Sequence, residues 1–169
     1  ALREELLQIF PNSVFNESGQ RLSGETLIEF INDADAAIVG VETIGDSVLE
    51  NTPALKIISK YGVGLDSIDQ ESLKSRNISL GWTGGVNRRS VSELTLGFML
   101  GLCRNIFRSG FKLKNTEWDK GGGHQLSGKT IGIIGCGHIG SDVARLLSPF
   151  GCTLLVRDIV DKSDFCREQ

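Results

Sequence analysis

The 169 residues carry 18 Lys and Arg against 21 Asp and Glu, for a formal net charge of −3. With a pI near 5.4 the chain lacks the basic footprint of a nucleic-acid partner, and no apolar run approaches the roughly 20 residues needed to cross a bilayer. The four cysteines (Cys103, Cys136, Cys152, Cys166) show no Cys-x-x-Cys spacing. They read as small buried apolar side chains of a reducing, cytoplasmic compartment, and a zinc or disulfide framework is excluded.

In chain order, Leu2, Leu6, Leu7 and Ile9 suit one face of a helix, and Ser13 to Phe15 suits a short strand. Residues 23–32 read as a helix capped by Ser23, with Leu27, Ile28 and Ile31 on one side. Residues 36–40 and 55–59 are short apolar runs, the first as expected for a strand buried on both faces. A polar helix over 68–76 and a strand over 78–80 follow. This alternation predicts an α/β unit, a parallel sheet with helices on both faces.

Residues 81–89 form a glycine-rich connection, and Ser90-V-S-E93 fits a capping box. The helix it opens, reaching about Arg108, is apolar nearly all round, which predicts burial on most sides, between domains or at a subunit contact. The G-x-x-x-G spacing of Gly97 and Gly101 suits a close neighbour, and basic pairs such as Arg88-Arg89 read as solvated surface. Gly121 to Gly123 read as a flexible connection, with His124 a solvated loop histidine. No cluster suggests a metal.

The run Ile131-G-I-I-G-C-G-H-I-G140 reads as strand, glycine turn and helix start, and a second strand over 152–156 leads to Asp158. This is the fingerprint of a dinucleotide-binding βαβ unit. Gly135 permits the tight turn, Gly137 lets a pyrophosphate approach the backbone, and Gly140 lets helix pack on strand, while the helix N-terminus offers free N–H groups to phosphate. A carboxylate at Asp158 accepts hydrogen bonds from the ribose hydroxyls of NAD and repels the 2′-phosphate of NADP, so NAD is the expected cofactor. A second glycine-rich segment, Lys60-Y-G-V-G-L-D66, follows a buried strand. It suits either an anion held by backbone N–H groups or a simple strand-to-helix turn.

Taken together, residues 55–69, 87–106, Trp118, 126–145 and Phe150-Gly151 resemble the D-isomer-specific 2-hydroxyacid dehydrogenase family, most closely its D-3-phosphoglycerate dehydrogenases. The resemblance implies a flavodoxin-like substrate domain over 1–85, lacking its first strand. It implies a linker helix and the opening βαβ of a Rossmann NAD-binding domain, incomplete, over 86–169. By the same resemblance Gly62, Val63 and Gly64 hold the substrate carboxylate, Val63 also lies by the nicotinamide, and Lys60 and Asn87 lie near the substrate. His138, where the family usually has arginine, and Ile139 present their backbone to the pyrophosphate, and Asp158 binds the ribose.

The implied activity is hydride transfer between NAD and a D-2-hydroxy or 2-keto acid, with 3-phosphoglycerate and 3-phosphohydroxypyruvate as the expected pair. The alternatives are a glyoxylate or hydroxypyruvate reductase, or an NAD-sensing, corepressor-like module of the same fold. The family's catalytic Arg, Glu and His are expected downstream of Gln169, so this chain alone is expected to be inactive. A homodimer formed through the linker helix and the NAD-binding domain is implied as well.

Overall fold

A computed structural model describes residues 2–168. The chain forms two compact units, divided between Trp82 and Thr83.

In the first unit the elements are α1 (Leu2–Ile9), α2 (Gly24–Ile31), β1 (Ala36–Val39), α3 (Asp46–Leu49), β2 (Ile57–Lys60), α4 (Gln70–Ser75) and β3 (Ser79–Gly81). The strands pair in parallel in the order β1-β2-β3, with Ala37 opposite Ile58 and Ile58 opposite Leu80. Leu27 and Ile31 of α2, Val48 and Leu49 of α3 and Leu73 of α4 close over Ala37, Val39 and Ile58. Asp69 caps α4 by accepting from the Ser72 N–H. At the start of α2, the Thr26 hydroxyl accepts from the Ser23 N–H at 3.3 Å.

Two expectations for this unit are corrected. Residues 13–15 form no strand, because their backbone meets no partner strand; the Ser13 N–H instead closes a turn onto the Phe10 carbonyl. The run at Ala36 is buried on one face only, and Ile38 is 58% exposed. The helices that supply the core all lie on the Ala37 and Val39 face, and no residue of α1 is buried.

The second unit holds α5 (Arg88–Cys103), α6 (Ile106–Lys114), β4 (Thr130–Ile134), α7 (His138–Leu147), a single 3-10 turn over Ser148–Phe150, β5 (Thr153–Arg157) and α8 (Ser163–Glu168). β4 and β5 pair in parallel, Ile131 opposite Leu154 and Ile133 opposite Val156. Leu126, Val143 and Leu147 form the core, with Leu96, Met99, Leu100 and Cys103 of α5 packed against them.

The long apolar helix differs from expectation in three ways. It begins at Arg88, because the Arg88 N–H already turns back to the Gly85 carbonyl, so Ser90 lies inside the first turn and the capping box does not form. It breaks at Asn105, whose φ of +54° is left-handed, and α6 starts afresh. Only one of its apolar stripes is covered; Leu94, Phe98 and Leu102 are exposed.

Of the two glycines in that helix, Gly101 takes a close neighbour, since a Cβ there would lie 2.5 Å from the Phe107 ring, whereas Gly97 faces open space. The glycine run is not a free tether. A Cβ on Gly123 would lie 2.3 Å from the Cys103 carbonyl oxygen, and the Asn105 amide donates to the carbonyls of Gly121 and Gly122. His124 is exposed as expected, though its N–H donates to the Cys103 carbonyl. Cys136 is buried, but Cys166 is exposed, because α8 buries none of its residues.

Candidate functional site

The glycine turn of the second unit is built from three local requirements. β4 ends at Ile134, and Gly135 takes φ +89°, a left-handed conformation that side-chain-bearing residues resist. Its N–H donates to the Arg157 carbonyl at 2.8 Å, tying the turn to the end of β5. Gly140 sits where a Cβ would lie 2.1 Å from the Gly135 carbonyl oxygen, so the first turn of α7 can close onto the strand only without a side chain.

Gly137 differs from both. Its φ is −82°, and a Cβ there would meet nothing within 4 Å. Neither backbone conformation nor internal packing calls for glycine at this position, and the space in front of it is open.

Asp158 follows β5 and reaches back across the turn. The Cys136 N–H donates to its Oδ2 at 2.6 Å and the Val160 N–H to its Oδ1 at 3.0 Å. The Val160 bond, then the Cys136 bond, holds the carboxyl below the usual carboxylate range. Each oxygen keeps a further lone pair for a donor from outside. Burial pushes the Cys136 thiol up, so it is a packed side chain rather than a nucleophile.

His138 opens α7 and is exposed, its ring lying against Gly85: a Cβ on that glycine would come within 2.6 Å of the ring. Ile139 is also exposed, and its carbonyl oxygen lies 3.3 Å from the Ser92 hydroxyl. Asn87, the residue before α5, is exposed and makes no side-chain cap.

In the first unit, the Tyr61 N–H donates to the Val39 carbonyl at 2.8 Å as the chain leaves β2. The Lys60 ammonium donates to the Gly40 carbonyl and to the Ser67 hydroxyl. Gly62 has φ +138°, and the Trp82 indole N–H donates to the Val63 carbonyl at 3.0 Å. A Cβ on Gly64 would lie 3.5 Å from an Asp66 carboxylate oxygen, an ordinary contact. None of the N–H groups of Gly62, Val63 and Gly64 meets an acceptor among the described residues.

Within the second unit, then, the turn brings together Gly135, Gly137, His138, Ile139, Gly140 and Asp158. Lys60, Gly62, Val63 and Gly64 cluster in the first. Sequence reasoning missed two features. Trp82 was read only as part of a connection. Arg89 is exposed, as expected of a surface residue, but it also pairs at 3.0 Å with Asp142, a buried carboxylate of α7. The signal was an acid adjoining Val143 and Ala144 in a helix whose apolar residues pack inward.

The model of the family described as D-isomer specific 2-hydroxyacid dehydrogenase, catalytic domain, matches residues 2–160. A hydroxypyruvate reductase of Thermotoga maritima is 35% identical over 161 residues, covering 93% of this chain and 53% of the relative. A D-3-phosphoglycerate dehydrogenase of Methanocaldococcus jannaschii is 36% identical over 160 residues, covering 93% and 30%. Among solved structures, an NAD-dependent formate dehydrogenase from Staphylococcus aureus in complex with NAD superimposes with a TM-score of 0.78 at 28% identity, covering 93% of this chain and 49% of that one. The chain thus spans about half the length, or less, of these proteins. With the parallel strands, the glycine turn and the acid after β5 all present over that match, the chain belongs to the D-isomer-specific 2-hydroxyacid dehydrogenase family.

Proposed function

We propose that this chain supplies the cofactor turn and the substrate loop of an NAD-dependent oxidoreductase acting on a D-2-hydroxy acid. The observation that carries this reading is Gly137, a glycine with no internal reason to be one and with open space before it. That is what a pyrophosphate pressed against the backbone requires. In this reading Gly135 and Gly140 hold the turn, and the N–H groups of His138 and Ile139 meet the phosphates at the positive end of α7. The remaining lone pairs of Asp158 accept from the ribose hydroxyls, and its charge disfavours a 2′-phosphate. NAD, when bound, supplies the hydride chemistry.

The unpaired N–H groups of Gly62, Val63 and Gly64 would take the substrate carboxylate, with Val63 also the residue presented to the nicotinamide. Lys60 has two of its three donors engaged and one left for the substrate, and the Asn87 side chain, which makes no helix cap, is proposed as a further substrate contact. No residue of this chain is assigned to proton transfer, and the chain by itself is expected to be inactive.

Relatives sharing this stretch are named for hydroxypyruvate, phosphoglycerate and formate. In this reading the loop at Gly62, Val63 and Gly64 takes the carboxylate these acids have in common. Within that class we favour 3-phosphohydroxypyruvate, with hydroxypyruvate and glyoxylate as the alternatives. The exposed stripe Leu94, Phe98 and Leu102 is proposed to be covered by a second copy, and sedimentation as a monomer at micromolar concentration would exclude that.

The test is NADH oxidation by the whole protein with each of the three keto acids, the fastest turnover being expected with 3-phosphohydroxypyruvate. NADH binding with no turnover of any 2-keto acid would refute the enzyme and leave an NAD-sensing module. Gly137→Asp should abolish NADH binding; an unchanged affinity would show that the turn is not the cofactor site.

A further inference from the structure

Asp142 is the one buried carboxylate among the described residues of the second unit, 3% exposed, and it has no part in the proposed cofactor site. Its Oδ1 pairs with the Arg89 guanidinium at 3.0 Å, while its Oδ2 is buried and meets no donor among the described residues. A buried, half-satisfied charge is a poor way to hold two helices together; an apolar side chain of similar size would do so at lower cost. What an ion pair adds is direction, because it is lost when the helices slide while an apolar contact tolerates the shift.

The position of this pair is informative. Ser92, fully buried, shares its hydroxyl proton between the Arg88 carbonyl at 2.8 Å and the Ile139 carbonyl at 3.3 Å. Gly85 packs on the His138 ring. All three contacts join residues 85–92 to residues 138–142, the end of α7 that adjoins the glycine turn. Farther along, the same helices meet through Leu96, Met99, Leu100, Val143 and Leu147, which are all apolar. The interface is thus polar and directional at the end next to the turn and apolar at the other.

We infer that Arg89, Ser92 and Asp142 are positioning residues, a polar clasp that sets where the first turn of α7 presents its N–H groups. This rests on the turn being the dinucleotide site. None of the three touches the cofactor in this scheme. They act through the start of α7: Ser92 holds the Ile139 carbonyl, and Arg89 holds Asp142 on the same helix.

The test uses the whole protein and four variants, Arg89→Met, Arg89→Lys, Asp142→Asn and Ser92→Ala. NADH affinity is read by fluorescence well below each melting temperature, together with steady-state kinetics. A displacement of the turn should weaken NADH binding about tenfold in Arg89→Met and Asp142→Asn, and less in Ser92→Ala. KM for NADH should rise with it, while kcat at saturating NADH and KM for the keto acid stay within about twofold. Arg89→Lys, which keeps the charge but not the forked geometry, should recover part of the loss.

A purely structural pair would lower the melting temperature and leave the affinity of the folded protein unchanged, and that result would overturn the inference. Gly137→Asp separates the two claims. If it abolishes NADH binding while the clasp variants bind as wild type does, the clasp fails and the site stands. If it too binds normally, the site reading fails and takes the clasp with it. Ser92→Ala removes a single oxygen, so it keeps the question answerable should a charge variant not fold.

Discussion

Replacing Gly140 by alanine tests the closest approach in the second unit. The added Cβ would lie 2.1 Å from the Gly135 carbonyl oxygen, 3.1 Å from its carbonyl carbon and 3.3 Å from Ile133 Cγ2. A carbon and a carbonyl oxygen settle at about 3.3 Å, so α7 must retreat by roughly 1 Å from a backbone atom that cannot rotate away. Overpacking of this kind costs about 1–3 kcal/mol, offset by about 1 kcal/mol from the better helix propensity of alanine.

Gly97→Ala is the internal control. That glycine also lies in a helix interior but faces open space, so alanine should stabilise by about 0.5–1 kcal/mol. The two variants should therefore differ by about 2 kcal/mol, or 4–8 °C in melting temperature for a chain of this size. Calorimetry with circular dichroism reads the difference, and a parallel NADH titration should show weaker binding in Gly140→Ala alone. Equal melting temperatures and equal affinities would refute the close approach and the account of the turn built on it.

Two further perturbations have definite signs. The Asp158 carboxyl is held low by the N–H groups of Val160 and Cys136; such a group adds stability that is fully present above the ordinary carboxylate pKa of about 3.9 and is lost as the pH falls through the lower folded-state value. Asp158→Asn should then melt below wild type at neutral pH and converge with it in strong acid, and a gap that stays constant across the acid limb would contradict the assignment. Asn105 holds φ +54° and donates to the carbonyls of Gly121 and Gly122. Asn105→Gly keeps the conformation and loses the bonds, while Asn105→Ala loses both, at about 1–3 kcal/mol. Urea unfolding should rank stability as wild type, then glycine, then alanine, and the reverse order of the two variants would be incompatible with left-handed strain at this position.

The parts of the fold that were legible are those in which one local pattern suffices. The strand, glycine turn and helix from Thr130 to Leu147 were readable because Gly135 and Gly140 each answer a backbone or steric demand within a few residues of themselves. Leu27 and Ile31 were readable as core because helical spacing alone puts them on one face. The start of α5 was not, since Ser90 and Glu93 satisfy the capping pattern while a turn closed by the Gly85 carbonyl starts the helix earlier. Asn105 was not, because a left-handed residue inside an apolar run is stabilised by carbonyls 16 and 17 positions away. Arg89 and Asp142 lie far apart in the chain, and only the docking of α5 on α7 reveals them as a pair.

The apolar stripe of α5 shows a different limit. Hydrophobicity all round a helix predicts burial all round, yet the chain covers the side carrying Leu96, Met99 and Leu100 and leaves Leu94, Phe98 and Leu102 open. The apolar character of a side chain suits it to a neighbour from any chain or segment, whereas its burial here comes from the neighbours within its own unit. The same difference appears at Ile38 and Ile57, apolar residues on the bare face of the first sheet, and at Ile134 and Leu155 in the second. Large apolar side chains gathered on one face are costly to leave in water, so these positions mark where each unit has surface to bury. The glycine turn contrasts with them. Gly137 is open to solvent without being apolar, and the partner proposed for its backbone is an anion rather than an apolar side chain.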